Sequence, residues 1–202
     1  MNYIAIDTSS KTLMLVVCKD GEIFSYLDTE CGTRHSDKIM VELENLIEKT
    51  GFDVKACDFI ACVVGAGSFT GIRIGVATVK ALCFAYSKPF LSITSFDTLA
   101  YNEKDGKLLS VIDAGHNGFY VAGYDNNKVV YSPSYILRDE LERLSKEYLL
   151  LSSTEINGVA TKKVDVYKGL INAVERKESQ VEHNLEKLVP LYVRKSQAEE
   201  GR

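Results

Sequence analysis

Histidine is scarce in this sequence: there are three, His35, His116 and His183, and no two stand at a spacing that would bring them onto one metal ion. A metal centre is therefore hard to build, and a serine nucleophile would lack an obvious base. The five cysteines, Cys18, Cys31, Cys57, Cys62 and Cys83, are odd in number, form no C-x-x-C pair and sit mostly in apolar runs. That pattern argues for reduced thiols packed as small hydrophobes, and against a disulfide framework or a zinc site. Positive charge does not predominate either. With a formal net charge of -4 there is no global field to pull the protein onto nucleic acid. No aromatic-plus-basic stripe of the kind that tracks a single strand is present. The first residues carry no basic segment ahead of their apolar run, so a signal peptide is not expected. No run reaches the ~20 apolar residues that span a bilayer. These absences together predict a soluble, cytoplasmic protein with no membrane association.

What is present is an ordinary folded composition, 46% apolar and 26% charged over 202 residues, enough chain to bury a core without staples. Tyr3 to Asp7, Thr12 to Cys18 and Glu22 to Leu27 read as three strands in a meander, with Asp20-Gly21 at a hairpin turn. A helix is expected from about Ser36 to Thr50, where Ile39, Met40, Leu43, Leu46 and Ile47 recur at spacings of three and four, with Gly51 ending it. Phe59 to Val64 is of strand length. Ile72 to Tyr86 reads as a helix apolar nearly all round and largely buried, and Phe90 to Ile93 as a strand.

The pattern then restarts. Leu108 to Asp113 echoes Tyr3 to Asp7, with Ile112-Asp113 in the place of Ile6-Asp7, and Phe119 to Tyr124 echoes the second strand. Val129 to Tyr131 would be a third strand, Ile136 to Ser145 a helix, Tyr148 to Leu151 a strand and Val164 to Glu175 a helix. Arg176 to Leu188 is expected to be polar surface. Two copies of strand, Asp-turn, strand, turn, strand predict a duplicated fold, with lobes over residues 1–104 and 105–202, the second one reduced. No Pro-, Gly- or Ser-rich linker separates them.

The strongest local signal is Gly65-Ala-Gly-Ser-Phe-Thr-Gly-Ile-Arg-Ile-Gly75. A strand running into Gly65 and Gly67 and then a helix can aim backbone N–H groups at a phosphate, with Ser68 and Thr70 beside it. The spacing matches neither the dinucleotide fingerprint nor the Walker loop, and small residues serve equally to pack a helix tightly. Ser68 does not match a nucleophile elbow, and Ser68 or Thr70 fits a helix cap. Asp7 and Asp113 end matching strands. Such carboxylates hold magnesium in folds that clamp nucleotide phosphates, and equally cap turns. A small ATP-dependent phosphotransferase using Asp7, Asp113 and the glycine loop is the alternative these residues leave open.

Taken in order, Ile4 to Ser9, Arg34-His35-Ser36, Gly65 to Gly75, Lys88-Pro89, Ser95 to Ala100, Ile112 to Ala114 and Pro190 to Arg194 resemble the TsaB (YeaZ) family nearly end to end. Ala66 stands where that family usually has proline, and Gly115-His116-Asn117 replaces its usual arginines. The resemblance implies an α/β, actin-like, ribonuclease H-like duplicated fold of two lobes with mixed sheets. It implies a non-catalytic subunit, not a protease, that pairs with the transferase TsaD and works with the ATPase TsaE in threonylcarbamoyladenosine modification of tRNA. Contact with tRNA would be indirect, through the complex, and two copies could pair when the subunit is alone. No firmly bound cofactor is implied, ATP or ADP having a place only at the complex interface. On this reading Ile39, Met40, Leu43, Leu46, Ile47, Gly71 and Gly75 belong to the pairing surface. Asp7, Gly65, Gly67, Ser68, Thr70 and Asp113 would be a vestigial phosphate site.

Overall fold

Two continuous apolar runs and a two-residue turn open the chain as a hairpin meander: β1 (Tyr3–Asp7), β2 (Leu13–Lys19) and β3 (Glu22–Asp28). Asp20 and Gly21 both take positive φ, 53° and 85°, the geometry that matches the twist of two antiparallel strands. The structure is a computed structural model that describes residues 1–194. It divides into two units, Met1–Ile93 with Arg176–Leu191, and Thr94–Glu175 with residues 192–194. The boundary expected at 104/105 thus lies at 93/94, and the polypeptide returns to the first unit after residue 175.

In the first unit α1 (His35–Thr50) ends at Gly51, whose φ of 58° is the left-handed cap. β4 (Phe59–Val63), α2 (Phe69–Tyr86) and β5 (Phe90–Ile93) follow. The sheet order is β3-β2-β1-β4-β5, antiparallel across the meander and parallel from β1 to β5. Register places Ile6 opposite Leu15 on one side and Cys62 on the other, so one face of the sheet is a continuous apolar surface. α1 covers it with Ile39, Leu43 and Leu46, and α2 with Ile72, Val76, Val79 and Cys83. Full burial of each Ile, Leu or Val here contributes about 1.5–3 kcal/mol. All five cysteines are free and buried, and burial pushes the thiols of Cys57 and Cys83 up to about 11 and about 12.

The segment expected to be polar surface is mostly exposed, but it is also tied into the first unit. Glu182 exchanges backbone hydrogen bonds with Phe90 (2.9 and 2.8 Å), lengthening the β5 edge, and Leu188 is fully buried in the first core. Its charges, spaced between short 3-10 turns at Glu178–Gln180 and Leu185–Lys187, conceal Leu185 and Leu188 from any periodicity test.

The second unit contains α3 (Ser95–Ala100), β6 (Lys107–Gly115), β7 (Gly118–Asp125), β8 (Lys128–Leu137), α4 (Arg138–Leu144), β9 (Leu149–Ser152) and β10 (Lys162–Lys163). α5 (Val166–Lys177) closes it. Its sheet order, β8-β7-β6-β9-β10, reproduces that of the first unit strand for strand, with the same antiparallel and parallel pairs. The duplication is therefore real. Where the first unit has α2 between its last two strands, the second has only a helix-free connection from 153 to 161. Leu109, Val111, Phe119, Val121, Leu141 and Leu150 form its core. β8 is longer than the three residues expected, because Ser134 to Leu137 continue to pair with Gly118 to Val121 after a bulge at Gly123. α3 begins with a capping box. The Thr94 hydroxyl accepts from Asp97 N–H (3.1 Å) and the Asp97 carboxylate accepts from Thr94 N–H (2.8 Å).

Candidate functional site

The glycine segment is a junction between α2 and the β1–β2 turn. β4 delivers the chain to Gly65, at φ 118°, and Gly67, at φ 149°. A Cβ on Gly67 would run into the Ser9 carbonyl oxygen, and one on Gly71 into the Thr8 carbonyl oxygen. One on Gly75 would come within 2.5 Å of Thr8 Oγ1, and one on Gly65 within 2.8 Å of the Leu191 carbonyl. Four glycines thus let two backbone segments and a helix approach more closely than any side chain would permit. Hydrogen bonds fix the approach: Ser68 N–H donates to Ser9 O (2.7 Å) and Thr8 Oγ1 donates to Gly71 O (2.7 Å). Leu191 N–H donates to Val64 O (2.7 Å), so the Pro190-Leu191 segment clamps the same loop.

These contacts occupy two of the N–H groups a phosphate would use, those of Ser68 and Gly71. Ser68 is the N-cap, its hydroxyl accepting from Gly71 N–H at 3.2 Å, and Ser68 N–H already faces a carbonyl. An anion at the start of α2 would have to displace the Ser9 carbonyl oxygen, and that oxygen would repel it. The Ser68 hydroxyl makes no hydrogen bond to a histidine among the described residues. Thr70 is exposed on the first turn of α2.

Asp7 and Asp113 repeat one another in detail. Each carboxylate accepts from the N–H two residues on, Ser9 at 2.7 Å and Gly115 at 2.7 Å, closing an Asx turn at the end of the first strand of its unit. Asp113 is exposed, whereas Asp7 is 1% exposed. Burial pushes the Asp7 carboxyl above its ordinary value of 3.8, opposed by the hydrogen bonds from Ser9 and the nearby His35. A group whose folded value is raised contributes stability that is full below 3.8 and declines as pH rises through the folded value. Asp7→Asn removes that decline. Its unfolding free energy relative to the wild type should therefore improve steadily from acid to neutral pH in urea titrations. A difference independent of pH would contradict a buried, titrating carboxylate.

The pairing surface expected from α1 is narrower than its apolar stripe. Ile39, Leu43 and Leu46 face the sheet and belong to the core, and Ile47 packs partly against it. Gly71 and Gly75 are occupied by Thr8. Met40 is 49% exposed, and it alone of these seven residues is open to a partner. α2 also departs from expectation: it is buried along one stripe only, Gly71, Ile72, Gly75, Val76, Val79 and Cys83. Its opposite face presents Thr70, Arg73, Ala77, Ala81 and Phe84 at helical spacing, and Phe84 is 81% exposed. The Arg73 guanidinium carbon lies over Phe69, 3.7 Å from the ring centre. The exposed apolar face accounts for α2 being, by length and composition, apolar enough to cross a membrane; its other stripe packs on β4 and β1 as a core helix does. Sequence reading did not single out Phe84, since a helix apolar all round shows no preferred face.

Residues 29–136 match the family model described as "TsaD: tRNA N6-adenosine threonylcarbamoyltransferase". The chain belongs to this family, on its TsaB (YeaZ) branch. It is 29% identical over 154 residues to the tRNA threonylcarbamoyladenosine biosynthesis protein TsaB of Bacillus subtilis, covering 73% of this chain and 67% of that protein. With the protein of the same name from Escherichia coli it shares 24% identity over 167 residues, 76% of this chain and 71% of the other. The solved structure of YeaZ from Pseudomonas aeruginosa superposes with a TM-score of 0.75 at 19% identity, over 95% of this chain and 99% of that one. The duplicated mixed sheets are those of this actin-like fold. Among the described residues no group of three or more His, Cys, Asp or Glu side chains is placed to hold a metal ion.

Proposed function

We propose that this TsaB-family protein is a non-catalytic partner subunit in threonylcarbamoyladenosine biosynthesis. On this reading it pairs with a TsaD-type transferase through the outward face of α2. The observation that carries the reading is the outward face of α2, which ends in Phe84, 81% exposed. Ala77 and Ala81 keep this face low, and Phe84 stands at its end as a large apolar side chain 81% exposed. Small residues there let a second helix approach closely, and Phe84 supplies the large buried contact that dominates such interfaces. The TsaB relatives, named for this biosynthesis, and the match to the TsaD family model supply the partner's identity. The filled glycine junction and the capped Ser68 support a subunit that does no transfer or proteolysis itself. TsaE, ATP and tRNA reach it through the complex, in the cytoplasm, and any nucleotide sits at the complex interface. Without the transferase the same face would close on a second copy of the chain.

Mixing the protein with its cognate TsaD-type subunit and measuring mass by light scattering after size exclusion tests the pairing. A one-to-one complex is expected. Two unshifted peaks at micromolar concentrations would overturn it.

A further inference from the structure

A cavity of about 280 Å³ opens in the second unit, between the β6–β7 turn, the start of α4 and the connection after β9. Its lining carries both signs of charge, Arg138 with Asp113 and Glu155, beside His116, Asn157 and Phe119. The opposite charges do not close on one another. Arg138 donates through Nη1 to the Asn157 carbonyl (2.9 Å) and its guanidinium lies 5.7 Å from the Phe119 ring centre. Asp113 is turned back onto Gly115 N–H (2.7 Å). Neither Asp113 nor Glu155 forms an ion pair with Arg138 or with any other described residue.

Arg138 and Asp113 are thus each engaged by the backbone rather than by one another, around a space just below the usual range for small-molecule sites of about 300–1,000 Å³. Arg138 keeps unused N–H donors in the fork geometry that suits a carboxylate. A simple anion entering the cavity would gain Arg138 but meet Asp113 and Glu155; a simple cation would gain the carboxylates but meet Arg138. A molecule carrying both charges a few atoms apart satisfies all three. We propose that this cavity binds a small zwitterion of the α-amino acid class, its carboxylate on Arg138 and its ammonium between Asp113 and Glu155.

The test is amide NMR of the full chain titrated with L-alanine and, separately, with propionate and ethylammonium, which carry its two charges singly. Saturable shifts at Gly115, His116 and Asn157 are expected with L-alanine, at a Kd on the order of 1 mM, and at least about tenfold weaker binding with either half. Arg138→Gln should abolish the L-alanine shifts. Glu155→Gln, on an exposed loop residue, should weaken them about tenfold with the rest of the spectrum unchanged. The proposal is overturned by an absence of saturable shifts, by propionate or ethylammonium binding as well as L-alanine, or by L-alanine binding that survives both substitutions.

Discussion

Phe84→Glu should leave the protein folded and abolish its pairing with the transferase subunit. The side chain is 81% exposed, so its replacement touches no core contact and should change stability by no more than about 0.5 kcal/mol. Within an interface the same change places a carboxylate in an apolar pocket. The expected loss is at least a hundredfold in Kd, about 2.7 kcal/mol, the size seen for central aromatic anchors. Calorimetric titration of the variant against the transferase subunit measures it, with circular dichroism to verify the fold. Met40→Glu should weaken pairing less, since Met40 is half exposed and lies on the neighbouring helix. Leu43→Glu, by contrast, should unfold the first unit, because Leu43 is 1% exposed in its core. A folded Phe84→Glu variant that binds as tightly as the wild type would move the interface off α2.

Gly67→Ala should be among the most destabilising single-methyl substitutions in the chain. Two costs add there. The φ of 149° lies outside what an L-residue adopts without strain, and the new Cβ meets the Ser9 carbonyl oxygen, a backbone atom that cannot swing aside. Together they amount to about 3 kcal/mol or more, which lowers Tm by about 6–12 °C for a chain of this length. Gly71→Ala, with an ordinary helical φ, carries only the clash with Thr8 and should cost about 1–3 kcal/mol. Gly106→Ala meets nothing within 4 Å and should cost only the strain of its φ of 102°. Thermal unfolding of the three variants would rank them in that order. If Gly67→Ala were as stable as the wild type, the junction would not be a packing device, and an anion-binding loop would regain its standing.

Much of the fold was legible because it depends on short-range patterns. The apolar run from Tyr3 to Asp7, its echo at Leu108 to Asp113 and the turn at Asp20-Gly21 define the two meanders, and Gly51 marks the end of α1. The boundary at Ile93 was missed because the signal there is the Thr94–Asp97 capping box, two residues weaker than any hydrophobic run. The second crossing, after residue 175, was hidden by charge. Nothing local distinguishes Leu188, fully buried, from its solvated neighbours; its place depends on the pairing of Phe90 with Glu182. The site was legible only as a motif. Gly65, Gly67, Gly71 and Gly75 declare a close approach without saying what approaches, and the answers, Leu191 for Gly65 and Thr8 and Ser9 for the other three, lie more than fifty positions away. Likewise the periodicity of α1 placed Ile39, Leu43 and Leu46 on one face but could not say that the face was the core. The outward face of α2 left no periodic trace, since Ala77, Ala81 and Phe84 are as apolar as the residues they back onto.

A partner subunit of this kind is required for tRNA modification. Cognate TsaD-type transferase, TsaE, ATP, threonylcarbamoyl-adenylate and a tRNA reading codons that begin with adenosine can be incubated with and without it, and threonylcarbamoyladenosine quantified after nuclease digestion. The expected result is modification that appears only when the protein is present and is lost again with Phe84→Glu. Equal yields with and without the protein would contradict its role as a required partner subunit.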